Sequence, residues 1–283
     1  MAVKIVECPR DAMQGFHHPI STDQKIEYLN ALIRVGFNAL DCGSFVSKRA
    51  VPQLADTKDV LNNIDLSLKN SSFITIVANE RGADEACQFD QVDVLGFPFS
   101  ISETFQLRNT NQTIKQASSR LAHIRDIAEQ GKKELLVYLS MGFGNPYKDK
   151  WSTDIAIDWC KRLADQGITS INLSDTIGAA KAEDIKAIFS ACIEAMPHIE
   201  FGAHLHTRAD NYLKNISSAY EGGCRKFDSA IQGFGGCPFA ADDLTGNLPT
   251  ESLLNYLKDI KESTRVNQEA FDKAFALASK VFV

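Results

Sequence analysis

Short apolar runs rich in β-branched residues alternate along this chain with longer stretches whose apolar positions recur every three or four residues. The runs at Val3–Glu7, Phe37–Phe45, Phe73–Ala78, Gln91–Phe97, Leu135–Leu139, Ser170–Leu173, Phe201–Leu205 and Lys226–Ile231 predict strands. Between them the spacing predicts helices over Ser21–Val35, Pro52–Asn62, Arg81–Cys87, Asn111–Gln130, Thr153–Gln166, Ala182–Met196 and Ala209–Glu221. Thr250–Lys261 and Gln268–Val281 close the chain as helices. In the helix over 111–130, Ile114, Leu121, Ile124, Ile127 and Ala128 form one stripe, and Ser21-Thr22-Asp23 offers caps to the first helix.

Eight strands that are apolar throughout, each followed by a helix, predict a parallel sheet buried on both faces. About 250 residues in eight such units is the length of a (β/α)8 barrel. A doubly wound sheet would carry fewer units and a G-x-G-x-x-G run after its first strand, which this chain lacks. The expectation is one α/β domain over residues 1–283, a single (β/α)8 TIM barrel with additional C-terminal helices. In that fold the polar groups at the strands' C-terminal ends share one rim. Here they are Arg10 and Asp11 after strand one, Asp41 and Ser44 in strand two, Asp175 after strand six, His204 and His206 at the end of strand seven, and Cys237 after strand eight.

Composition narrows the class. The 283 residues are 44% apolar, enough for a large core, and carry a net charge of −6, which argues against nucleic acid or a membrane surface as partner. No apolar run is long enough to cross a bilayer, and Met1-Ala2-Val3-Lys4 leads straight into a strand without a targeting segment. Seven scattered cysteines without a CxxC pair predict reduced thiols and a cytoplasmic protein. Cys8, Cys42, Cys87, Cys160, Cys192 and Cys224 sit in apolar runs or helices and are expected as small core hydrophobes.

Two places carry chemistry. A strand repeats its side-chain direction every second residue, so His204 and His206 share a face, either as half of a divalent-metal site or as a polar pair on a half-solvated strand. Cys237 lies in Gly233-Phe234-Gly235-Gly236-Cys237-Pro238-Phe239, a loop whose glycines let backbone come close to a ligand.

At these positions the chain resembles the 3-hydroxy-3-methylglutaryl-CoA lyases, within the metal-dependent acyl-CoA lyase and condensing-enzyme barrels. The matching segments are Cys8-Pro9-Arg10-Asp11, Ser44-Phe45-Val46-Ser47 with Val51-Pro52-Gln53, Ser102-Glu103-x-Phe105, Asp175-Thr176-Ile177-Gly178, His204-x-His206, Gly235-Gly236-Cys237-Pro238-Phe239-Ala240 and Gly246-Asn247. The resemblance implies cleavage of hydroxymethylglutaryl-CoA to acetyl-CoA and acetoacetate, with Mg²⁺ or Mn²⁺ held by Asp11, His204, His206 and Asn247. It implies Arg10 on the oxygen that becomes the ketone, His206 or Asp11 as base, and Cys237 as the acid that protonates the enolate. Asp41 and Asp175 are expected at the same site, and Gln14, Ser44 and Asn172 as substrate contacts. Lys48 and Arg49 are candidates for the coenzyme A phosphates, and a homodimer is implied. A condensing transferase joining acetyl-CoA to a 2-oxo acid would share the Arg-Asp and His-x-His residues, but has no need of the Gly-Gly-Cys-Pro loop. An inactive barrel that binds metal or acyl-CoA is the rival outside catalysis. The chain departs from the family in Asp41, where glutamate is usual, and in Thr207-Arg208 after the histidines.

Overall fold

Alternation along each strand separates two layers of core. Inside, Val6, Cys8, Ile74, Ile76, Leu136 and Tyr138 fill one cluster. Their neighbours Ile5, Phe73, Val137 and Leu139 point outward into the larger core shared with the helices. Fully burying each Leu, Ile or Phe contributes roughly 1.5–3 kcal/mol. The strands thus hold their two sides by the same effect.

The computed structural model describes residues 2–236 and 245–282. Strands β1 (Lys4–Glu7), β2 (Ala39–Ser44), β3 (Ser72–Ile76), β4 (Val94–Ser100), β5 (Glu134–Ser140), β6 (Ser170–Asp175), β7 (Glu200–Thr207) and β8 (Lys226–Ser229) pair in parallel, each with the next. Pairing of β8 with β1 closes the ring, as the (β/α)8 expectation requires. A ninth strand, β9 (Gly246–Asn247), runs antiparallel to the end of β7, with Asn247 opposite His206.

Helices α1 (Pro9–Gln14), α2 (Thr22–Val35), α3 (Thr57–Asn63), α4 (Glu80–Cys87), α5 (Glu103–Thr110), α6 (Ile114–Gln130), α7 (Thr153–Asp165), α8 (Ala182–Ala195) and α9 (Tyr212–Glu221) follow the strands. After β8 come α10 (Thr250–Asp259) and α11 (Gln268–Val281). Ser21 opens α2 with a reciprocal capping box to Gln24. In β2 the register against β3 shifts between Asp41 and Gly43, and a Cβ on Gly43 would come within 2.6 Å of Thr57. Glycine is what lets α3 close over the strand there.

Several boundaries differ from the pattern. The expected helix over 52–62 divides into a 3₁₀ turn, Pro52–Leu54, and α3. Asn111 does not start a helix; at φ 55° it ends α5, and α6 begins after its own cap, Thr113. Helix α5 escaped the periodicity because Glu-Thr-Phe-Gln-Leu-Arg-Asn-Thr has no apolar stripe. The expected strand over 91–97 runs from Val94 to Ser100. The apolar face of α11, with Phe271, Ala274, Ala278 and Val281, is buried within the chain, where the helix packs on α2. Among the described residues no helix is long and apolar enough to cross a membrane.

Candidate active site

Pro9 fixes the start of a short helix straight after β1, and that helix turns Arg10, Asp11 and Gln14 toward the strand ends. They line one end of a cavity of about 410 Å³ bounded also by Ser44, His204 and His206. Four of the five N–H groups of the Arg10 guanidinium are engaged there by described residues. Its Nε donates to Asp41 Oδ2 at 2.9 Å, and Nη2 donates to the same oxygen. Nη1 donates to Asp11 Oδ1 at 2.8 Å and Gln14 Oε1 at 2.9 Å. Burial works against this cation, but Asp41 and then Asp11 hold it charged. Asp41 Oδ1 is buried with no partner. Burial pushes that carboxyl up to about 6, against the pull of Arg10.

Asp11 behaves in the opposite way. Burial would raise it, but Arg10, His204, His206 and a hydrogen bond from Asn247 together hold it well below the ordinary carboxylate range. It remains an anion. His206 Nε2 lies 3.9 Å from Asp11 Oδ2, and the rings of His204 and His206 are 5.2 Å apart between centroids. Burial, then the neighbouring His204, lowers His206 to about 4, so its imidazole is neutral. His204 Nδ1 is 3.0 Å from Asp228 Oδ2. Burial opposes its protonation, but the Asp228 hydrogen bond and charge outweigh it and raise His204 above its usual value.

The ligand atoms of Asp11, His204 and His206 all lie within 4.8 Å of one another, a group able to hold a metal ion. An anionic oxygen and two imidazole nitrogens fit a divalent cation with positions left for substrate and water. Asp228 would support a cation on the far side of the His204 ring as it supports a proton there. His206 Nδ1 is buried and unpartnered. Asn247 sits beside the group, with Nδ2 donating to Asp11 Oδ2 at 2.8 Å and to the Phe234 carbonyl at 2.9 Å. To serve as a ligand its oxygen must exchange places with that nitrogen.

Other expected site residues lie elsewhere. Asp175 does not line the cavity. Its carboxylate accepts the amides of Ala179 and Ala180 at 3.0 and 2.9 Å, and burial pushes it up to about 6 against those hydrogen bonds. It holds the β6–α8 turn, while its neighbour Thr176 faces the cavity. Asn172 is also set back, fully buried, with Nδ2 donating to both Asp228 oxygens at 2.9 Å. Lys48 and Arg49 line a neighbouring cleft with Lys58 and Arg81, on the other side of segment 44–47. Cys237 lies outside the described residues. The preceding Gly235, at φ 105°, passes so close to the site that a Cβ would meet Asn247 Nδ2 at 2.5 Å and Ala12 Cα at 3.0 Å.

Sequence reasoning missed Asp228, although it holds a rim position in β8 like those of Asp41 and His204 in their strands. It also missed Tyr138, a cavity-lining phenol set edge-on to His204, with its hydroxyl buried and unpartnered. Inward-facing polar residues near a strand's C-terminal end were the available signal for both.

Comparison with known proteins agrees with this geometry. The HMGL-like family model matches residues 2–277. Hydroxymethylglutaryl-CoA lyase from Pseudomonas mevalonii is 30% identical over 95% of this chain and 89% of its own length. The mitochondrial enzyme from Mus musculus is 32% identical over 94% and 81%. A solved structure of an HMG-CoA lyase from Acinetobacter baumannii, in complex with coenzyme A and 3-methylmalate, superposes with a TM-score of 0.91 at 30% identity, covering 99% of this chain and 91% of that one. A barrel with an arginine–aspartate pair on one strand end and two histidines on another, matched over nearly all its length, belongs to the HMGL-like family.

Proposed function

We propose that this protein cleaves 3-hydroxy-3-methylglutaryl-CoA to acetyl-CoA and acetoacetate, with Mg²⁺ or Mn²⁺ held by Asp11, His204, His206 and Asn247. The observation that carries the reading is the meeting of the Arg10–Asp11 pair with His204 and His206 at one cavity, in a chain alike over nearly all its length to HMG-CoA lyases. When bound, the cation would supply Lewis acidity to the substrate's hydroxyl and carboxylate oxygens.

The chain's own residues divide the remaining work. Arg10, kept charged by Asp41 and Asp11, is aimed at the oxygen that turns from alkoxide to ketone. Asp11 is held well below the ordinary carboxylate range and burial lowers His206 as well, so both stand unprotonated at the cavity. The hydroxyl proton goes to His206 or Asp11, the two groups placed to take it. Loss of that proton breaks the carbon–carbon bond, and its electron pair leaves with acetyl-CoA as the thioester enolate. Cys237 then gives the enolate its proton and is reprotonated from solvent. Gln14 and Ser44 line the same cavity and are the nearest polar groups for the substrate's acyl end. A cytoplasmic homodimer belongs to the same reading.

The test is direct. Protein stripped with a chelator should release no acetoacetate from hydroxymethylglutaryl-CoA, and adding Mn²⁺ or Mg²⁺ should restore release. Silence with both ions removes the assignment.

A further inference from the structure

Parallel pairing sets Val6 of β1, Asp228 of β8 and His204 of β7 in one row across the barrel wall, Val6 opposite Asp228 and Asp228 opposite His204. Residues of one row face the same side, and Val6 lies in the inner cluster together with Cys8, two residues beyond it. The Cys8 amide donates to the Ser229 carbonyl at 2.8 Å, which holds this end of β1 against β8. Its thiol is fully buried and makes one long contact, to the Val6 carbonyl at 3.8 Å. A cysteine serving only to fill the core needs no polar company. This one has it, because one ligand atom each of Cys8, His204 and Asp228 lies within 4.8 Å of the other two.

The three donors are well supported. His204 Nδ1 stands 3.0 Å from Asp228 Oδ2, and Asn172 steadies Asp228 by donating to both its oxygens at 2.9 Å. Tyr138 shares the inner cluster with Cys8, and its hydroxyl is buried without a partner. Charge favours a cation here. Burial and Arg10 oppose positive charge on His204, and Asp228 with Asp11 outweigh them. Burial, then Asp228 and Asp41, hold the Cys8 thiol protonated while it is alone, and those same acids attract a dication.

We infer that Cys8 Sγ, His204 Nδ1 and an Asp228 oxygen form a second, inner site for a thiolate-seeking dication of the zinc class, and that filling it switches the outer site off. Thiolate with imidazole and one carboxylate selects zinc-like ions, whereas magnesium prefers oxygen. The arriving ion displaces the thiol proton to solvent, and the proton of the neutral ring moves from Nδ1 to Nε2. A neutral imidazole has a single lone pair to give. Once His204 gives it inward, the outer group of Asp11, His204 and His206 loses a ligand. The switch rests on the metal reading of that outer group; the inner site does not.

Cadmium reports the inner site directly, because on a thiolate it gives an ultraviolet charge-transfer band. Chelator-stripped, reduced protein would be titrated with Cd²⁺ as wild type, Cys8→Ala, Cys8→Ser and Cys237→Ser. Wild type and Cys237→Ser should show a band that saturates with a single ion bound, and both Cys8 variants should lose it. Without cadmium, the Cys8 variants should keep Mn²⁺ affinity and Mn²⁺-supported turnover within about twofold of wild type, which also shows them folded. With Mn²⁺ present, Zn²⁺ should inhibit wild type at concentrations about tenfold or more below those that inhibit Cys8→Ala. A band that survives in both Cys8 variants, or vanishes in Cys237→Ser, overturns the inner site. Equal inhibition of wild type and Cys8→Ala by Zn²⁺ overturns the switch. The band needs no substrate, so protein that releases no acetoacetate would still show it, and failure of the lyase reading stays distinct.

Discussion

At the scale of single residues, this barrel shifts two neighbouring carboxyls in opposite directions a few ångströms apart. Asp11 and Asp41 both touch Arg10, yet the first is held below the ordinary carboxylate range and the second pushed up to about 6. The difference is company. Asp11 also faces two imidazoles and an amide, while one Asp41 oxygen has no partner. Glu7, beneath the rim, shows burial winning outright. It is fully buried, and desolvation raises it to about 8 although Thr250 and the Ile231 amide donate to it. A carboxyl that ionises at 4.5 when unfolded and near 8 when folded keeps its proton longer in the native state. Its stabilising contribution is complete below 4.5 and is lost as pH rises through 8. Glutamine mimics the neutral acid. Melting temperatures measured from pH 5 to 9 should fall more steeply for wild type than for Glu7→Gln, with the variant the more stable at pH 9. Parallel curves would mean that Glu7 is ionised in the fold.

At the scale of elements, the site depends on how closely backbone can approach α1. Gly235 carries the chain past Asp11 and Asn247 where no side chain fits. Gly144 also has a positive φ, 125°, but nothing lies within 4 Å of a Cβ added there. Gly235→Ala should lower Mn²⁺ affinity and turnover by roughly tenfold or more through displaced ligands, whereas Gly144→Ala should cost only about 1–3 kcal/mol of backbone strain. Equal effects from the two would deny Gly235 its role. The strands, the long helices and the rim positions of Arg10, His204 and His206 were legible in the sequence, because period and length mark them. Helices α1 and α5 were not. The first is six residues long and the second has no apolar stripe, so neither carries a readable period. Asp175 and Asn172 stand at positions like those of the ligands, yet one is taken by turn amides and the other by Asp228. Sequence shows where a side chain starts and not which local donor reaches it first.

At the scale of the whole molecule, the last helix supports the first loop of the chemistry. Phe282, just past α11, stacks on Phe234 with centroids 4.6 Å apart and meets Phe16 and Tyr28 edge-on. Gln232, at the root of the same loop, donates from Nε2 to the Phe275 carbonyl at 3.1 Å and to Ser279 Oγ. Helix α11 spends its apolar face on α2, and Phe282 just past it packs on this loop. Removing a ring from a packed aromatic pair costs roughly 0.5–1.5 kcal/mol beyond its buried area. Phe282→Ala empties a buried position of the helix-side core, so it should cost about 3–5 kcal/mol of stability and also cut turnover by about tenfold. Wild-type turnover in that variant would detach the terminus from catalysis.

The Phe234–Phe282 stack also decides where the protein tolerates an appendage. A purification handle or reporter fused behind α11 would emerge beside Phe234 and disturb the ring stacked on it. A fusion ahead of β1 leaves from the opposite mouth of the barrel, where Lys4 pairs with Glu200 and no group of the reaction is near. Handles belong on that end.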